Sequence, residues 1–507
     1  MSVSNAEDQV RKAVVVGAGP VGCLAAMTLA KMGWDVDVYE QRSDLRLPSS
    51  KAAAQQRSIN LAVSSRGTAA FRAVDPVIGQ RFLQAAIPMR GRMIHDVNGK
   101  QHSQLYDKDG QCIYSIDRAL LNETLLHEIS AIGNTRLFFK HKVVAIDFDN
   151  RSMIIRDIDS EKDIRVNFYF CIGADGSYSI VRRQLMRVVR MNFQQEYIPH
   201  EYIELKMPAG HSEQGQPSFL LDPNHLHIWP RHSFMLIALP NQDCSFTCTL
   251  FAPTTEFDRL VTTQDILSWF KTHFPDALCL LGEEKLLHDF SNNPRSPLIT
   301  IRVKPYHYKD RCVIIGDAAH SMVPFYGQGL NCGFEDVRVL RTLLQESGVA
   351  PGVTLSELGE EGLTDSRLSN ALSRYTETRH EDLVAICDLA MYNYIEMRHS
   401  VTTPTYLFKK TLDNLLYAIS SWRNPLQDLI TRVAASTVPF PTHWPSGWIP
   451  LYTMVTFRPD ISYATAKRKS AKQSEILTTI GLLGTVLIGS TGLYWTLKAL
   501  RCVPCQR

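Results

Sequence analysis

The most constraining stretch of the chain is its first strand and the glycines that follow it. Ala13–Val16 is a short apolar run, Gly17-Ala18-Gly19-Pro20-Val21-Gly22 is a glycine turn, Cys23–Met32 has the apolar spacing of a helix, and Val36–Glu40 reads as a second strand. This order is a βαβ unit, whose two strands run parallel. The spacing of Gly17, Gly19 and Gly22 lets backbone N–H groups approach a pyrophosphate at a helix N-terminus. Glu40 ends the second strand 23 residues after Gly17. An acidic side chain there accepts ribose hydroxyls and repels a 2′-phosphate, so the site suits FAD or NAD and not NADP.

At 507 residues the chain exceeds the ~250–300 residues one core supports, so further folded units are expected. Residues 10–190 and 301–350 read as two parts of the nucleotide fold, the second opening with the buried strand Arg311–Ile315 and the helical pattern Gly333–Gln345. Between them, 191–300 reads as a sheet-rich substrate domain, with clear strands at His225–Ile228, Phe234–Leu239 and Ser245–Phe251. Helical periodicity covers Leu368–Tyr417 within a helical region 351–472, and Val438–Pro450 reads as a wrapped connection. The 54 Lys+Arg against 51 Asp+Glu show no basic block, so no nucleic-acid partner is expected. The 11 cysteines lie mostly in apolar runs, which reads as reduced, buried thiols in a cytosol-facing chain. Cys502 and Cys505 form a CxxC without a second pair, so no metal site is expected.

The N-terminal stretch shows no apolar signal region, so no export is expected. Ile476–Leu497 is 22 residues without a charge, roughly 33 Å as a helix, and is read as one transmembrane helix. Gly481, Gly484, Gly489 and Gly492 give it a small-residue stripe. Arg458, Lys467, Arg468, Lys469 and Lys472 precede it, which orients the body to the cytosol and makes membrane lipid an expected partner.

Two further motifs follow in order: Phe170-Cys-Ile-Gly-Ala-Asp175-Gly176 and Cys312-Val-Ile-Ile-Gly316-Asp317-Ala-Ala-His320. With the glycine turn they resemble the three fingerprints of the single-component FAD-dependent aromatic hydroxylases. Within that family, Arg57–Ala62, Ile87–His95, Tyr197–His200, His225–Pro230, Ser245–Phe251, Met391–Arg398 and Ile449–Phe457 resemble the branch that hydroxylates L-kynurenine, over residues 12–457. The sequence departs at Leu330 and Cys332, where the family has Met and Ala, and in an extra Trp/Pro-rich stretch at 426–448.

The resemblance implies an α/β fold: an FAD-binding Rossmann-like domain of the GR2 type, a β-sheet substrate domain, a C-terminal helical region and a membrane helix on the mitochondrial outer membrane. It implies non-covalent FAD, with NADPH and O₂ as co-substrates. Cofactor contacts are implied at Gly17, Gly19, Val21, Gly22, Tyr39, Glu40, Gln41, Arg42, Ala62, Arg118, Val143, Asp175, Asp317, Leu330 and Asn331, with Pro324 and Gln328 in the flavin loop. Asp317 is implied to hold ribityl or ribose hydroxyls, and Asp175 is linked to both flavin and pyridine nucleotide. Substrate contacts are implied at Arg92, Tyr106, Asn393 and Tyr452, the segment 85–116 contributing to that site, with Glu396 and Met397 behind. An Arg fork suits a carboxylate, and Tyr or Asn completes such a cradle. His320 is read as a loop hydrogen bond near the flavin. Two alternatives stay open: a hydroxylase of this fold acting on a phenol or quinone, and a membrane-tethered flavoprotein with little turnover.

Overall fold

Strands buried on both faces read as continuous apolar runs and pair in parallel. Lys12–Val16 pairs this way with Asp35–Glu40 on one side and Phe170–Gly173 on the other. Cys312–Ile314 and Thr135–Phe139 extend the sheet in parallel, and His307–Tyr308 closes one edge antiparallel, giving six strands. Val14, Val15, Val36, Val38, Phe170 and Val313 fill its core. The helices Pro20–Lys31 and Gly329–Glu346 pack on each other. The computed structural model describes residues 11–50, 60–107, 109–352, 364–399, 403–422 and 445–479.

A second, seven-stranded sheet runs in the order Ser296–Lys304, Asn192–Met207, Phe246–Pro253, Phe234–Pro240, His225–Arg231, Gly91–His95, Gln101–Leu105. The segment 85–116 thus lends two strands to a sheet otherwise built from residues far downstream. One face of this sheet packs on the helices Thr254–Arg259, Thr263–His273, Pro275–Leu281 and Glu283–Asn292 through Phe257, Phe270, Phe274 and Leu286. The other face turns towards the first sheet.

The helical periodicity after residue 364 resolves into Ser366–His399 and Pro404–Trp422, and Pro450 opens a short helix, Leu451–Phe457. The nine described cysteines are all unpaired, and six are buried. The expected transmembrane helix is corrected. Among the described residues no helix is long and apolar enough to cross a membrane. The helix over 463–479 carries Lys467, Arg468, Lys469, Lys472 and Glu475, and Lys467 and Arg468 are paired with Asp388 and Glu381 of the globular body. Of Ile476–Leu497 the part from 480 on, the CxxC and most of 426–448 lie outside the described residues.

Candidate active site

The carboxyl ends of the parallel strands and the inner face of the second sheet enclose one continuous cavity of about 730 Å³, within the range of small-molecule and cofactor sites. One end is made by backbone. A Cβ on Gly17, whose φ is +99°, would meet Ala174 O at 2.5 Å, and one on Gly22 would meet Gly17 O at 2.0 Å. At Gly19 an added Cβ would meet nothing within 4 Å, so this glycine faces open space. The helix Pro20–Lys31 starts there with no side-chain cap, which leaves first-turn N–H groups for an anion.

Glu40 accepts the Ala18 N–H on Oε2 and the Arg42 N–H on Oε1, both at 2.9 Å. A carboxylate oxygen with one bond keeps capacity for another. Glu40 lines the cavity with Val21, Tyr39, Gln41, Arg42, Val143, Arg118 and Asp317. Asp175 also lines it, but its carboxylate accepts the Ser179 hydroxyl at 2.5 Å and the Ile180 and Val181 N–H groups at 2.7 and 3.1 Å. It thereby backs the first turn of the helix Ile180–Leu185, whose N-cap is Ser179, and burial pushes its pKa up against those bonds.

The segment expected to flank a flavin turns at Pro324–Tyr326 and at Gly327, which is left-handed with φ +64°. Pro324, Leu330 and Ala62 line the cavity; Gln328, Asn331 and Asn393 do not. Asn331 is fully buried, donating to Ala62 O at 2.8 Å and Gly327 O at 2.7 Å while accepting the Ser64 N–H at 2.8 Å. Gln328 Oε1 accepts the Tyr463 hydroxyl at 3.1 Å. Asn393 donates to Phe325 O at 2.7 Å, and the neighbouring Tyr394 ring stacks on Phe325 at 3.8 Å. Asn393 therefore braces the loop from behind, and Met397, one turn on, reaches the cavity wall.

The other end of the cavity holds Arg92, Tyr106 and Tyr452. Tyr106 stacks on Tyr452 at 5.0 Å, Tyr326 on Tyr452 at 5.8 Å, and the Arg92 guanidinium carbon lies 5.0 Å from the Tyr452 ring centre. Arg92 is 6% exposed, yet among the described residues its Nε and the Tyr106 hydroxyl find no hydrogen-bond partner. Burial works against the Arg92 charge, but Tyr452, Tyr406, Tyr106 and Glu396 outweigh it and hold the group above its ordinary value. Buried polar atoms left unpaired are costly, so these two mark where a ligand belongs. Glu396 sits beside this end without lining it, its Oε1 accepting the Tyr406 hydroxyl at 3.1 Å.

Behind the loop lies a buried ionic network absent from the sequence reading. Arg66 pairs with Glu335 at 2.8 Å and donates to Val455 O at 2.6 Å and Met454 O at 3.2 Å; Arg379 pairs with Glu335 at 2.9 Å and Asp336 at 2.8 Å. Asp336 also accepts from His320 and from the Gly316 N–H. The network ties the motif at Gly316-Asp317 and the helix bearing Tyr452 to one helix, Gly329–Glu346. His320, Cys332 and Asp336 cluster closely, and the Arg379 guanidinium supplies positive charge there. Two adjacent acids, Glu335 and Asp336, inside the helical pattern Gly333–Gln345 were the available signal.

A sequence profile described as "FAD binding domain" matches residues 11–348. The chain is 45% identical to the kynurenine 3-monooxygenase of Cryptococcus neoformans var. neoformans serotype D (strain B-3501A), over 96% of this chain and 97% of that one. It is 44% identical to the Yarrowia lipolytica enzyme of the same name, over 92% and 93%, and 40% identical to that of Saccharomyces cerevisiae, over 95% and 97%. Among solved structures, 2-methyl-3-hydroxypyridine-5-carboxylic acid oxygenase superposes with a TM-score of 0.58 at 21% identity, covering 79% of this chain and 95% of that one. PqsL of Pseudomonas aeruginosa gives 0.57 at 16%, covering 77% and 97%; these two likenesses concern the fold. The profile match and the near-full-length relatedness agree: the chain belongs to the kynurenine 3-monooxygenase family of FAD-binding proteins.

Proposed function

We propose that this chain hydroxylates L-kynurenine to 3-hydroxy-L-kynurenine, using NADPH and O₂ as co-substrates and non-covalent FAD as cofactor. One observation carries the reading. A cavity that begins beside Gly19, at a helix N-terminus without a side-chain cap, ends at a buried arginine and a half-buried tyrosine whose Nε and hydroxyl are unpaired among the described residues. The cradle fits FAD: Gly17, Gly19 and Gly22 admit a pyrophosphate, Glu40 offers acceptors to a ribose, Asp317 and Arg118 would hold the polar chain, and Ala62, Pro324 and Leu330 would flank the flavin ring. Bound FAD supplies electron transfer from NADPH and the activation of O₂.

The chain's own task is binding, alignment and exclusion of water. Arg92 would hold the substrate carboxylate through its fork, with the Tyr106 and Tyr452 hydroxyls completing the cradle. Leu226, Met235, Ile237, Phe251 and Met397 line the cavity and offer the aniline ring apolar contact. The aniline nitrogen already enriches the ring carbon beside it, so no strong base is required of the wall; fixed orientation in a dry site is what the residues contribute.

The test is NADPH oxidation by the purified yellow protein with and without L-kynurenine, with chromatography of the product. Stimulated oxidation and 3-hydroxykynurenine are expected. Absence of stimulation by kynurenine, with turnover of a simple phenol instead, overturns the substrate.

A further inference from the structure

The helix Pro404–Trp422 places a second layer behind the amino-acid end of the cavity. Tyr406 and Lys410, four residues apart, share one helix face. Tyr406 donates to Glu396 Oε1, and Lys410 Nζ donates to Gln104 Oε1, each at 3.1 Å. Gln104 is the cross-strand partner of Arg92, so the ammonium is held against the strand pair that carries the guanidinium.

Among the described residues Lys410 has no ion-pair partner. Burial first, then the Arg92 charge, opposed by Glu396, bring its pKa down to about 8. Two cations thus feel the charge of one carboxylate, Glu396, and the excess positive charge is what an anionic head group would balance. The phenols around them, Tyr106, Tyr406 and Tyr452, are all pushed above their ordinary range by burial and stay neutral where Lys410 titrates.

We propose that Lys410 is a positioning and specificity-determining residue, a second cation behind Arg92 that favours a carboxylate-bearing substrate and makes its binding weaken as the ammonium loses its proton. The proposal rests on the kynurenine reading above. Its sign follows directly: below pH about 8 the ammonium is present and the carboxylate is held by two charges, and above it by Arg92 alone.

The experiment titrates flavin absorbance of the FAD-replete full chain with L-kynurenine and with its decarboxylated analogue. It covers about pH 6.5 to about 9.5 in the wild type, Lys410→Met and Lys410→Arg. Wild-type Kd for kynurenine should rise roughly three- to tenfold across the range beyond any change seen in Lys410→Arg. Lys410→Met should bind weakly throughout without that step, and Lys410→Arg tightly throughout. The ligand's own amine titrates in all three proteins alike, so the difference between them is the readout. The decarboxylated analogue should show no Lys410-dependent step. Identical pH profiles in the wild type and Lys410→Met, or equal affinities at pH 7, overturn the proposal. If Lys410→Met does not fold, the wild type against Lys410→Arg decides. Failure of the flavin-loaded wild type to bind kynurenine at any pH overturns the substrate reading itself, and the proposal with it.

Discussion

Arg92 is buried, stacked among tyrosines and without an ion-pair partner among the described residues, an arrangement that folding alone does not reward. Arg92→Ala should therefore weaken kynurenine binding by roughly 2–5 kcal/mol, because the ligand carboxylate would be buried unpaired. Lys at this position should restore only part, since a point charge lacks the fork. FAD content should stay normal, and flavin-monitored titration with stimulated NADPH oxidation checks both statements; wild-type values would remove Arg92 from the site. The glycines divide differently. Gly22→Ala puts a Cβ 2.0 Å from Gly17 O and should lose fold and flavin together. Gly19→Ala meets no protein atom within 4 Å, so it should fold with an unchanged apo melting temperature and lose flavin affinity, measured by FAD release on gel filtration. Equal damage from the two would mean that Gly19 serves the backbone and not a ligand.

At the scale of elements, what was legible followed periodicity. The strand Lys12–Val16, the helix Pro20–Lys31 and the strands Phe234–Pro240 and Phe246–Pro253 lie within a few residues of their sequence-based bounds. The four short helices between 254 and 292 were not read, although Thr262 and Asp265 form a capping box there; short helices carry too few turns for a periodic signal. Asn393 and Met397 share a helix face, but which of them reaches the cavity depends on where the Pro324–Tyr326 turn docks, a tertiary contact with no linear trace. The same holds for Arg66, an isolated charge in sequence and the clamp of three segments in the fold. Arg66→Met should cost about 3–5 kcal/mol, since it strips a partner from buried Glu335, and should loosen the helix bearing Tyr452; denaturant melts and kynurenine affinity read the two effects. The second sheet carries a buried histidine pair, His95 Nε2 to His227 Nδ1 at 2.9 Å, with Asp276 3.2 Å from His95 Nδ1. Burial foremost lowers the His227 pKa from 6.5 to about 4. A depressed histidine leaves the folded state unpenalised above the unfolded pKa and costs stability as pH falls from about 6.5 towards about 4, by up to about 1.4 kcal/mol per pH unit. Urea melts at pH 7 and pH 5 should show that loss in the wild type and a smaller one in His227→Gln.

At the scale of the whole molecule, one loop serves both ends of the cavity. Pro324 and Leu330 line the part of the cavity proposed above for FAD, while Phe325 packs on Phe251 of the second sheet and Tyr326 stacks with Tyr452. Ordering that loop around one ligand removes a cost that the other would otherwise meet, and such coupling is reciprocal. FAD at 100 times its Kd stabilises the native state by about 2.7 kcal/mol, and kynurenine should add its own increment on top. The prediction is that kynurenine raises the melting temperature of the FAD-loaded protein by more than that of the same protein stripped of FAD, and that Arg92→Ala abolishes the kynurenine increment in both while leaving the FAD increment intact. Differential scanning calorimetry on the four ligand states of each protein measures it. Equal kynurenine increments with and without FAD would mean that the two ends of the cavity are energetically independent and that the shared loop transmits nothing between them.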